Sequence, residues 1–278
     1  MPTLSITRSS KSLRRLVLLA MLLLAVVILA AVAFLAWRWP FSRALVLRDL
    51  EEASLSTVQV DGFRETYFPR PGCILENVTF QHNPKPGSPP LITVQRLRIE
   101  SAFSGLFTRH LMRIRADGLH LLVPPRGSGE HFQTFKRSAF VIDQLVADGA
   151  VLEVASRDPQ KKPLRFSFHN FVLSNVGASG PASFQARFSN PAPPGEITST
   201  GKFGPWNPDD VGKVAVSGDY LFQQADLGTF HGIAGILASS GKFTGTLSGL
   251  KSRARPTFRT SRSHPAPTKC DCKLSFTE

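Results

Sequence analysis

"MRIRADGLHLLV", residues 112–123, decides the fold class. Its first five residues place Met112, Ile114 and Ala116 on one side of an extended chain and two arginines on the other. After Asp117-Gly118 the pattern resumes one residue out of step, with Leu119, Leu121 and Val123 as the apolar set. A period of two is the mark of a strand with one dry face and one wet face. The Asp-Gly pair reads as a turn between two such strands.

The same period recurs downstream. "SFQARFS" (183–189) sets Phe184, Ala186 and Phe188 to one side, and "LRFSFHNF" (164–171) alternates Phe166 and Phe168 with Arg165, Ser167 and His169. Turn signals separate these runs: "NPKPGSPP" (83–90), "PPRGSG" (124–129), "NPAPPG" (190–195) and "GPWNPDD" (204–210). Strands are therefore expected about every 12 to 20 residues, joined antiparallel by loops. Helical pattern is limited to "SAFSGLFTRHL" (101–111), which suits two or three turns, and to part of "YLFQQADLGTFHGI" (220–233). The expected class is all-β with minor helix.

One segment stands apart. Residues 16–37, "LVLLAMLLLAVVILAAVAFLAW", carry no charge. As a helix they span about 33 Å, against a hydrocarbon core of about 30 Å. A cleaved signal peptide has a shorter apolar core, and the small-residue triplet at 31–33 lies inside the run rather than behind it. We read a retained signal-anchor that begins at Leu16, with Trp37 and Trp39 at the membrane interface. Arg8, Lys11, Arg14 and Arg15 precede it, while Arg38, Arg43 and Arg48 follow. The tight Arg14-Arg15 pair favours a cytoplasmic N-terminus over residues 1–15 and a body across the membrane.

The net charge of +13 suggests a nucleic-acid partner, but its distribution does not. Residues 1–48 hold seven basic residues and no acid, and residues 251–278 hold seven basic residues and two acids. The body, 49–250, is close to neutral. Of the three cysteines, Cys270 and Cys272 are too close together for an unstrained disulfide, and no second pair completes a metal site with them.

Candidate chemistry is scarce. "GILASSGKFT" (235–244) looks like a phosphate-binding loop, yet five residues rather than four separate Gly235 from Gly241. Phe243 also stands where a hydroxyl must reach magnesium, and the next residues alternate as a strand. The seven histidines show no ligand spacing, and no nucleophile elbow occurs. No catalytic, cofactor-binding or metal-ligating residue is expected, and neither is a small-molecule substrate. The chain has 21 Phe against two Tyr. Such bulk fits an ordinary dry core or a channel for acyl chains, and composition alone leaves both open.

Residues 219–249, "DYLFQQADLGTFHGIAGILASSGKFTGTLSG", resemble the C-terminal module of the AsmA-like family. The matching residues are Ala225-Asp226-Leu227, Phe230, Gly232-Ile233, Gly235, Gly241, Phe243, Gly245 and Leu247. Upstream, "VQVDGF", "ILENVTF", "LITVQRLRIES" and "RIRADGLHLLVPP" resemble that family too, so the likeness covers about 230 residues. The resemblance implies a bacterial inner-membrane protein, single-pass, whose periplasmic body (49–250) is an elongated, taco-like β groove. It implies a role in outer-membrane biogenesis, guiding membrane phospholipid along an apolar surface, with envelope proteins as possible partners. Phe166, Phe168, Phe184, Phe188, Phe243 and Leu247 are then the lipid-facing candidates. The likeness fades after residue 252, which suggests a shortened or shifted reading frame and a basic, low-complexity, unstructured tail over 251–278. The alternative from a different class is a non-catalytic interaction module with a closed core and a protein partner.

Overall fold

A computed structural model describes residues 10–37, 39–81, 90–108, 110–124, 140–156, 158, 160–177, 180–207, 210–230, 234–259 and 273–274. The chain divides into two units, residues 1–40 and Phe41–Glu278. The first holds α1 (Ser10–Trp37). Its segment Leu16–Phe34 has a mean hydropathy of 3.3 and exposes its side chains, so it is long and apolar enough to cross a membrane. Trp37 is the last residue of α1, and Trp39 follows two residues later, half-buried.

The second unit opens with α2 (Arg43–Ser54), which ends as Leu55 turns left-handed at φ 52°. One β-sheet follows, mostly of ten- to fourteen-residue strands: β1 (Thr57–Thr66), β2 (Gly72–Gln81), β3 (Ile92–Ser101), β4 (His110–Val123), β5 (Val141–Val154) and β6 (Leu164–Val176). It continues with β7 (Ala182–Pro191), β8 (Pro194–Phe203), β9 (Ala215–Asp226), β10 (Ile236–Thr246), β11 (Gly249–Arg259) and the two-residue β12 (Lys273–Leu274). Spatial order equals chain order throughout. The protein is all-β with minor helix and an N-terminal apolar helix, as the alternation predicts.

Four expectations need correction. Asp117-Gly118 is not a turn between strands, because β4 runs through it without a break. β4 and β5 pair parallel, not antiparallel. The helical stretches shrink to α3 (Gly105–Thr108), one turn, and a 3-10 turn at Leu227–Thr229. β9 extends to Asp226 instead, because Val216, Tyr220 and Phe222 keep strand period. Finally, the presumed unstructured tail begins as strand: β11 pairs with β10 at all eleven positions from Gly249 to Arg259. Leu250, Ser252, Ala254 and Pro256 face inward while Lys251, Arg253 and Arg255 face out, so the basic residues there are one side of a strand. Residues 260–272 and 275–278, including both late cysteines, lie outside the described residues.

A phase slip explains why alternation breaks mid-strand. In β2 to β6 two consecutive residues face outward at one level: Glu76-Asn77, Gln95-Arg96, Asp117-Gly118, Asp148-Gly149 and His169-Asn170. Asn77, Gly118 and Gly149 adopt positive φ (51°, 64° and 64°) to absorb the extra residue. The apolar set then resumes on the same face, as Leu75 and Val78 do in β2. β4 and β5 share this device in sequence as well, with Ala116-Asp117-Gly118 lying directly beside Ala147-Asp148-Gly149. Slips aligned across adjacent strands bend and twist the sheet along a crease.

The inner face is driest at β1 to β4. Cys73, Leu75 and Val78 have no exposed surface, and Val94, Leu97, Ile99 and Ala116 are buried with them. α2 adds Val46 to this region. Burial pushes the Cys73 thiol up to about 12, helped by the Glu65 carboxylate.

Candidate functional site

The strand register builds one inner face that continues to β11. One row across the sheet reads Ala150, Phe168, Phe188, Ile197, Phe222, Ser239 and Pro256. Beyond the intervening row of Phe171, Ala186, Ser199 and Tyr220, a further inner row reads Leu173, Phe184, Gly201, Gly218, Phe243 and Ser252. Phe166 stands beside the first row, next to Leu152. Five of the six candidates (Phe166, Phe168, Phe184, Phe188 and Phe243) therefore share one face. Leu247 does not, because it sits in the two-residue turn between β10 and β11, where its N–H donates to the Val214 carbonyl at 3.1 Å.

The rings form two groups. Phe168 stacks on Phe188 with centroids 4.8 Å apart, while Phe171 and Phe166 meet this pair edge-on at 5.9 and 6.4 Å. Phe184 and Phe243 stand on strands three apart, yet their centroids lie 6.4 Å from each other. They lean together over Gly201 and Gly218, whose missing side chains leave the room. A Cβ on Gly201 would lie 2.8 Å from the Phe184 ring and 2.1 Å from the Ser217 carbonyl oxygen. A Cβ on Gly218 would lie 3.0 Å from the Phe243 ring and 2.4 Å from the Thr200 carbonyl oxygen. Replacing either glycine by alanine is expected to destabilise the body by about 1–3 kcal/mol in urea unfolding, since backbone or ring must shift.

These phenylalanines are half-buried, unlike the sealed side chains of β2. Leu164, at the end of β6 on the same face, is 46% exposed. The face is thus driest at β2 and β3, whereas the phenylalanines from β6 onward keep part of their surface exposed. Periodicity finds Phe166 and Phe168 but misses Phe171, because the His169-Asn170 slip moves it back into phase. Gly201, Gly218 and Phe222 carry no local signal, since only the register brings them beneath or beside the rings.

The outer face is polar and cross-linked by charge. Arg187 Nε donates to Glu196 Oε2 at 2.9 Å, and His169 Nε2 lies 3.0 Å from Glu196 Oε1. The Arg187 hydrogen bond holds the Glu196 carboxyl below the usual carboxylate range. His120 pairs with Glu153 at 3.1 Å and Lys242 with Asp219 at 3.2 Å. His110 pairs with Asp143 in the same way. Exposed pairs like these contribute about 0–1 kcal/mol each. Among the described residues no group of three acidic, histidine or cysteine side chains is placed to hold a metal ion. "GILASSGKFT" is strand β10 from Ile236 onward, paired antiparallel on both sides. It therefore lacks the helix start that a phosphate loop requires.

Comparison of the chain with protein-family models, curated proteins and solved structures gives no match.

Proposed function

We propose that this chain is a membrane-anchored, non-catalytic guide for phospholipid in a bacterial envelope, of AsmA-like kind. The observation that carries the reading is the inner face from β6 to β11, where phenylalanines in register remain only half-buried. An acyl chain laid along such a face leaves water, worth about 0.8 kcal/mol per shielded methylene. α1 tethers the sheet to a lipid source, with residues 1–15 in the cytoplasm and the body in the periplasm. Guidance of this sort needs no catalytic residue, metal or cofactor.

The test is native mass spectrometry of the full chain extracted in mild detergent. Co-purified phospholipid in about one-to-one amount or more is expected, and protein that is lipid-free in every preparation contradicts the reading.

A second reading is a closed interaction module of the envelope. The sealed side chains at Cys73, Leu75 and Val78 favour it for the first four strands. It predicts a protein partner on crosslinking and no bound lipid.

A further inference from the structure

The loop from β1 to β2, "TYFPRPG" (66–72), holds aromatic rings in solvent on a fixed base. Phe68 is 86% exposed, more than any other large hydrophobic side chain among the described residues. Tyr67 beside it is exposed as well, and its hydroxyl donates to the Glu65 carboxylate. The base of the loop is Pro71, fully buried, whose carbonyl accepts from the Ser101 N–H at 2.8 Å. Arg70 reaches Glu100 at 3.4 Å. These contacts tie the loop to the end of β3, where Phe103 follows two residues after Ser101 and is half exposed. Exposed rings gathered at one end of a sheet mark a contact surface.

Two observations select a lipid bilayer as what covers it. The first is the path of the chain. Only residues 38–42 separate α1, long and apolar enough to cross a membrane, from α2. α2 then reverses into β1 through Leu55 and Ser56, and Glu51 accepts from the Val58 N–H at 3.2 Å. The start of α2 and the end of β1 therefore point the same way, and the Phe68 loop follows the end of β1. The second is composition: rings beside an exposed arginine suit the membrane interface, where aromatics sit at headgroup level and a guanidinium reaches the phosphates.

We propose that Phe68 and Phe103, with Tyr67 beside them, dock the body on the bilayer that holds α1. The proposal rests on the reading that α1 spans that bilayer. Docking by rings needs no particular headgroup, so neutral and anionic bilayers should serve alike and added salt should change little.

The test is quenching of a nitrobenzoxadiazole label by lipids that carry a nitroxide at headgroup or mid-chain depth, in the full chain reconstituted into phosphatidylcholine nanodiscs. Labels go one at a time on Phe68→Cys, Phe103→Cys, Leu24→Cys in α1, and Ala192→Cys in the exposed turn at the opposite strand ends, all in a Cys270→Ser, Cys272→Ser background. Quenching of about twofold or more is expected at 24, 68 and 103, and none at 192. Phe68→Asp should at least halve the quenching at 103. Quenching at 24 without quenching at 68 and 103 overturns the docking and leaves α1 in the bilayer, whereas none at 24 removes both. Equal quenching at 68 and 192 also overturns it. So does a benzoylphenylalanine at 68 that crosslinks to a protein, and not to lipid, in native membranes.

Discussion

Leu75→Ala is expected to cost about 3 kcal/mol of folding stability, measured by urea unfolding of the detergent-solubilised chain. Leu75 has no exposed surface and sits in β2 between β1 and β3, opposite Phe63 and Leu97. Removing its side chain leaves a void that neighbours held in sheet register fill only in part. The equivalent truncation at Phe166 should cost less, because that ring is only half-buried and keeps water on one side. The difference between the two positions measures how unequal the two parts of the inner face are. Equal losses would mean that the face is packed alike from end to end.

The Cys73 thiol provides the second large effect. With its titration pushed up to about 12, native Cys73 should react with a thiol reagent about a thousandfold more slowly than an ordinary cysteine. The measurement uses a Cys270→Ser, Cys272→Ser background, so that Cys73 is the sole thiol. The sign of the linked stability follows directly. The folded value lies above the unfolded one, so the contribution is fully present below about pH 8.5 and is lost as pH rises toward 12. In that window this background should lose about 1.4 kcal/mol per pH unit more than its Cys73→Ala derivative. Fast labelling of native protein would show that the β1 to β4 interior is open.

Much of this architecture was legible in the residues. Period two in 112–116, 164–168 and 183–189 located strands, and the uncharged run at 16–37 located the apolar helix. Two features were hidden for physical reasons. A phase slip imitates a turn in a single strand: Asp117-Gly118 has turn chemistry, but its neighbour Asp148-Gly149 makes the same slip beside it, and only the paired register distinguishes slip from turn. β11 was missed because its outward residues at 251, 253 and 255 are lysine and arginine while 252, 254 and 256 are serine, alanine and proline, so no large apolar residue marks the strand between Leu250 and Phe258. The candidate face was partly legible. Individual phenylalanines could be assigned to a strand side, whereas the approach of Phe184 to Phe243 over two glycines depends on strands distant in sequence.

Whether lipid occupies the inner face can be read by placing a photoreactive benzoylphenylalanine at Phe168, Phe188, His169 or Arg187, one site at a time, in the full chain in native membranes. Irradiation should attach phospholipid at 168 and 188, whose side chains face inward, and leave 169 and 187, which face outward, unlabelled. Equal labelling of the two sets, or none at the inward pair, would contradict a lipid-bearing face.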